Sequence, residues 1–302
     1  MAEKSRLILT LKNQLLIVLA LFSLSAECTA QFQNRRRQMF QPQGDGTRFY
    51  LDRNGVPDWE EDEEFPSDVF TFVRIRYNAI QGDRGRWRTD YPDSDLNLSF
   101  RLQQLTSLKV NPDPIVLELT DKRLFNYPFV YFCEPGGGFS RRGGFGGHGG
   151  LNFTPEEVKE FRRYLINGGF AMFDDFWGEQ EWYNFETEIK KVFPDREIED
   201  IPLEHPIFNC VYEIKEKPQV PSINAAVQGR PYGITWERED AQEVHYRGIF
   251  DDKRRLMVVI CHNTDLGDGW EREGENEWYF HEFSEKKAYP MGINIIFYAM
   301  TH

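Results

Sequence analysis

Asp174 and Asp175 are adjacent carboxylates at the end of a short apolar run, residues 170–173. Such a pair can hold a hard cation, or supply an acid whose pKa its neighbour raises. One of the two can equally cap the next helix while the other faces water. A second apolar run, residues 256–260, leads to His262, Asn263 and Asp265. If both runs finish at one edge, Asp174, Asp175, His262 and Asp265 form a candidate catalytic set for hydrolysis of a glycoside or an amide. A mixed carboxylate and imidazole set without diagnostic spacing predicts neither a metal nor a cofactor.

A second group of residues suits recognition. Trp87, Asp90, Asp95 and Asn97 fall within one polar, aromatic stretch, and Asn263 follows the second run. An aromatic face beside fixed polar groups can hold a sugar or a peptide. The same stretch can instead bury Trp87 and use its aspartates as caps. Trp182, Trp236, Trp270 and Trp278 leave a similar choice between a carbohydrate surface and the core. Residues 144–149 form a GxGxxG match inside a run so rich in glycine that a flexible insertion or lid explains it better than a phosphate cradle. His205, before Pro206, reads as a turn residue, and His148 as solvated.

The elements that would position these groups are legible from periodicity. Strands are expected at 69–77, 115–119, 127–132, 170–173 and 256–260, with a short extended piece at 198–201 and edge strands at 211–214 and 232–236. Helices are expected from Asp93 or Ser94 to about Leu108, over 154–166, over 179–193 and over about 290–300. Thr154 is the expected N-cap of the second, Pro155 its first residue, and Gly168 and Gly169 its stop. Continuously apolar strands alternating with helices imply an α/β fold with a mainly parallel sheet and helices on both faces. The turns after Tyr77, Phe132, Phe173 and Ile260 then share one edge.

The chain has 302 residues, 40% of them hydrophobic, and a net charge of −13. That charge argues against a nucleic-acid partner, whose phosphates need a basic face. Residues 1–30 combine Lys4, Arg6 and Lys12 with the apolar stretch 15–24 and small residues around Cys28, as an export signal does. An uncleaved anchor is the alternative. Residues 31–66 read as a disordered, charged linker, and residues 67–302 as the folded domain. The expected location is periplasmic or extracellular. Of Cys28, Cys133, Cys210 and Cys261, three remain after export, so one disulfide with one free thiol, or three free thiols, are both open.

One combination of motifs is specific as a set. It joins Trp87, Asp90-Tyr91-Pro92, Asp95 and Asn97 to Thr154-x-x-Glu157, Arg162-x-Tyr164-Leu165 and Gly168-Gly169-Phe170-x-x-x-Asp174-Asp175. His205-Pro206-Ile207-Phe208, Asn263-x-Asp265-Leu266-Gly267-x-Gly269-Trp270 and Gly292-Ile293-Asn294 complete it. It resembles an uncharacterised bacterial family, a domain of unknown function grouped with class I glutamine amidotransferase-like, or ThuA-like, folds. The resemblance implies a three-layer, flavodoxin-like sandwich and occurrence among exported or membrane-linked proteins. The Gly-x-Cys-x-Gly nucleophile elbow of the catalytic amidotransferases has no counterpart here. Cys133 precedes Glu134-Pro135, and Cys261 and His262, as strand neighbours, point to opposite faces. The expectation is a non-catalytic module that binds a small molecule, a peptide or a carbohydrate. The alternatives are the hydrolase above and a scaffold for a membrane-associated protein partner.

Overall fold

The computed structural model describes residues 42–43, 48–49, 53–60, 68–79, 86–137 and 150–302. The export-like start, most of the linker stretch, the GxGxxG match and His148 lie outside the described residues. Pro42–Gln43 and Arg48–Phe49 pair antiparallel within a unit that ends at Asp52. The second unit, Arg53–His302, carries the α/β fold. Within it, Arg53 Nη1 donates to Pro112 O at 2.9 Å and Trp59 Nε1 donates to Val110 O at 2.6 Å. Residues 53–60, inside the stretch read as linker, are therefore held against the chain around Val110.

Seven strands form the sheet: β1 (Val73–Ile75), β2 (Ile115–Leu117), β3 (Phe129–Cys133), β4 (Phe170–Asp174), β5 (Glu199–Asp200), β6 (His245–Phe250) and β7 (Leu256–His262). Their order is β2-β1-β3-β4-β7-β6-β5. The first five in that order run parallel, and β6 and β5 close one edge by antiparallel pairing. Every residue of β3, β4 and β7 is buried, as continuously apolar strands of a parallel sheet require. Cys133 pairs with Asp174 and Phe173 with Ile260. The carboxyl ends of β3, β4 and β7 thus meet at one edge.

The helices are α1 (Asp93–Leu105), α2 (Pro155–Ile166), α3 (Gly178–Val192), α4 (Ile223–Gly229), α5 (Leu266–Glu271), α6 (Glu277–Tyr279) and α7 (Tyr289–Thr301), with a π-helix, Phe280–Ala288, joining the last two. Strand side chains alternate in direction. Phe132 stacks on Phe173 and meets Phe161 of α2, and Phe173 meets Phe185 of α3. The intervening residues make other contacts: Tyr131 meets Trp270 of α5, and Phe170 meets Tyr298 of α7.

Two expected edge strands are absent. At 211–214 the backbone pairs with a side chain instead. Asn294 of α7 accepts from Val211 N and Tyr212 N and donates to Tyr212 O. At 232–236, Pro231 lies in a 3-10 turn, Arg230–Tyr232, and Gly233 takes a left-handed φ of 67°, which breaks extension. The antiparallel strand next to β7 is β6, whose Gly248 leaves room for Leu256. Helix α1 stops at Leu105 because Thr106 turns extended and its hydroxyl bonds Leu102 O.

Candidate functional site

Three residues that directly follow a central strand, or stand just inside the shared edge, take a left-handed backbone without being glycine. Glu134 after β3 has φ 48°, Asp175 after β4 has φ 59° and Asn263 after β7 has φ 62°. Asp90, in the turn leading to α1, has φ 63°. Residues other than glycine seldom adopt this conformation, and such residues cluster at functional sites. Three of the four are carboxylates. One carboxylate oxygen of Asp90, Cys133 Sγ and one carboxylate oxygen of Asp175 lie within 4.8 Å of one another, and Asp90 forms a second such group with Asp268 and Glu271 of α5.

Neighbouring cations neutralise some of this charge. The Arg74 guanidinium is wholly buried, donates to both oxygens of Asp95, and also bonds Ser94 and the carbonyls of Trp87 and Thr89. Arg86 pairs with Glu134. Arg272 pairs with Asp268 at 3.1 Å and Glu271 at 2.7 Å. Among the described residues, no ion pair serves Asp90, Asp174, Asp175 or Asp265. Burial lifts the Asp90 carboxyl well above the ordinary range, and Glu271 and Asp268 add to it. Asp175 rises through burial and then the charges of Glu134 and Asp90, and Asp265 through burial and then Asp175 and Asp90. Burial pushes Asp174 up to about 7, although Gly267 N and Tyr131 Oη donate to its Oδ2 at 2.9 and 3.2 Å. Gly267 also keeps space open beside the group. A Cβ there would stand 2.7 Å from Asp90 Oδ2 and 2.9 Å from Tyr131 Oη.

Asp174, Asp175, Asp265 and Asp90 are brought together. Asp265 is also the N-cap of α5, accepting from Asp268 N at 2.7 Å. His262 is not brought in. Its Nδ1 lies 3.1 Å from Arg247, a donor, so Nε2 carries the proton and donates to Gly178 O at 3.2 Å. Its ring packs on Phe176 and Trp182, and burial lowers its pKa to about 3. Of the recognition set, Trp87 is 3% exposed, which leaves no ring face for a sugar. Asp95 is consumed by Arg74, and Asn97 donates to Trp270 O. Asn263 accepts from Gly178 N and donates to Glu243 O. His205 caps the 3-10 turn Pro206–Phe208 through its ring, as its place before proline implies. Cys133, Cys210 and Cys261 are free thiols.

Cys133, Glu134, Asp268 and Glu271 escape the sequence reading as site residues. A signal for the first two existed: Cys133-Glu134 ends β3 in register with Asp174-Asp175 at the end of β4.

Residues 71–300 match a protein family described as a domain of unknown function, DUF4159. The chain belongs to that family. The matched stretch contains Asp90, Cys133, Asp174, Asp175, Asp265 and Asp268, so the clustered groups all lie within the family domain. No curated protein matches the chain. Among the described residues, no helix is long and apolar enough to cross a membrane.

Proposed function

We propose that this protein is an exported bacterial binding or accessory module, periplasmic or extracellular. In this reading its α/β domain is a three-layer, flavodoxin-like sandwich of the class I glutamine amidotransferase-like kind. Its ligand is a small molecule, short peptide or ion that presents positive charge to the edge where β3, β4 and β7 end. The observation that carries the reading is the gathering of Asp90, Asp174, Asp175 and Asp265 there, without an ion-pair partner among the described residues. Burial holds all four protonated above the ordinary range, and repulsion adds to it at Asp90, Asp175 and Asp265. An incoming cation relieves both effects and displaces protons. The net charge of −13 favours such a partner over nucleic acid.

A hydrolase using Asp174, Asp175, Asp265 and His262 has less support. The one imidazole in that set faces β6 and α3, and Asp265 already caps α5.

A thermal-shift screen of the full chain tests the proposal, with polyamines, amino sugars, basic dipeptides, neutral sugars and divalent ions as ligands. The expected result is stabilisation by cationic compounds that disappears in Asp90→Asn and Asp175→Asn. A shift that survives both substitutions, or one confined to neutral sugars, overturns it.

A further inference from the structure

We infer that Asp90, Cys133 and Asp175 hold one borderline divalent cation of the zinc type at the carboxyl edge of the sheet. This rests on the cationic-ligand reading and names the ligand class of the same site. Two groupings share Asp90, and their chemistry separates them. In the group with Asp268 and Glu271, Arg272 already supplies the positive charge, and Asp268 Oδ2 also accepts from Ile223 N at 2.6 Å. In the group with Cys133 and Asp175, no cation is paired among the described residues, and the Cys133 thiol approaches the Asp175 carboxylate at 3.9 Å.

Two further observations concern Asp90, the residue common to both groups. Asp90 is 9% exposed, and its Oδ2 is buried with no hydrogen-bond partner. An orphaned buried carboxylate oxygen carries the full cost of lost hydration unless something else occupies it. Gly267 stands where any side chain would press on that oxygen. Arg74 lies close enough to act electrostatically on Asp90 and Cys133, but Asp95 matches its charge.

The donor set selects the ion. One sulfur with two carboxylates suits zinc or cobalt, whereas magnesium and calcium take oxygen shells. Metal–ligand distances of about 2.0–2.3 Å put tetrahedral donors roughly 3.5 Å apart. The three donors lie within 4.8 Å of one another, so they need to draw in by about 1.3 Å at most. Asp175, half-buried where Cys133 is fully buried, provides the way in. On binding, the thiol and carboxyl protons pass to solvent, and the fourth coordination position stays open, as in metal sites that take an exchangeable ligand.

The experiment uses the full chain stripped by a chelator and titrated with zinc, cobalt, magnesium or calcium chloride. Zinc should raise the melting temperature. Cobalt should give a near-ultraviolet thiolate-to-metal charge-transfer band that Cys133→Ser abolishes and that Cys210→Ser and Cys261→Ser retain. Asp90→Asn and Asp175→Asn should weaken cobalt binding at least tenfold with unchanged far-ultraviolet circular dichroism. X-ray absorption of the zinc-loaded wild type, which needs no variant, should show one sulfur neighbour. An all-oxygen shell, a band that persists in Cys133→Ser, or equal stabilisation by magnesium or calcium overturns the inference. Binding of an organic cation that needs Asp90, without a cobalt band, overturns the metal alone and leaves the broader reading standing. Shifts indifferent to Asp90 overturn both.

Discussion

Arg74 is wholly buried, so Asp95, Ser94 and two backbone carbonyls must serve its guanidinium in place of solvent. Arg74→Met would leave Asp95 charged and buried, and should cost about 3–5 kcal/mol in denaturant unfolding. The double variant Arg74→Met/Asp95→Leu should recover most of that loss, because it removes both charges together. Asp174 and His262 act on stability through pH, with opposite signs. The folded pKa of Asp174 is about 7, above its ordinary 3.8. The folded chain therefore holds the extra proton between those values, and the contribution is lost as pH rises through 7. Asp174→Asn should stabilise the metal-free protein at pH 8 by a few kcal/mol and remove that slope from its melting curve against pH. His262, lowered from 6.5 to about 3, contributes stability that is complete above 6.5 and lost as pH falls towards 3. His262→Gln should flatten the acid limb alone. The fate of single residues was the part of the sequence least open to reading. Asp90 and Asp95 have the same chemistry and neighbouring positions, yet one is matched by an arginine from β1 and the other is not. That difference depends on which side chain a distant strand presents, and spacing does not encode it.

At the scale of elements, legibility follows how local the stabilising contacts are. Helix α2 is readable because its signals sit inside its own sequence. Thr154 Oγ1 accepts from Glu157 N, Glu157 returns a bond to Thr154 N, and Pro155 opens the first turn. Thr154→Ala should cost about 0.5–2 kcal/mol, measured as a lower denaturation midpoint at unchanged slope. Gly168 then closes the helix at φ 108°, and Gly169 lies against the Tyr164 ring with no room for a Cβ. Helix α5 reads poorly, since six residues with two glycines have little intrinsic helicity. It forms because Asp265 caps it and because Trp270, fully buried, donates to Ala288 O at 2.9 Å. Strand β6 is hidden for a related reason. His245 and Arg247 are only half-buried and Gly248 interrupts the apolar run, so pairing with β7, not propensity, makes it a strand.

At the scale of the whole molecule, the parallel strands set where chemistry can occur, and long-range ties set whether the rest of the chain stays on them. The sheet's five parallel members were visible as apolar runs, which is why the shared edge could be expected before any coordinate. On the antiparallel side only β5 was visible, as the short extended piece at 198–201; β6 was not, and the chain between β5 and β6 is held by helix α7. Asn294, fully buried, makes three hydrogen bonds to residues 211 and 212, and its own carbonyl accepts from Cys210 Sγ at 3.2 Å. One side chain thus does what a neighbouring strand would do: it satisfies two donors and one acceptor of a bent segment. Asn294→Ala should leave those groups without partners. Because Val211 is exposed and Tyr212 half-buried, water can reach part of the segment, and the cost should fall at about 2–3 kcal/mol, below the sum of three wholly buried losses. Hydrogen exchange should then quicken at Val211 and Tyr212 by more than in β3, β4 and β7, which are buried throughout and open with global unfolding. Asn294→Asp discriminates further. It keeps the acceptor for both amides and loses the donor to Tyr212 O, so protection at 211 and 212 should largely survive. Equal loss of protection in both variants would mean that α7 holds this segment by packing and not through the Asn294 amide.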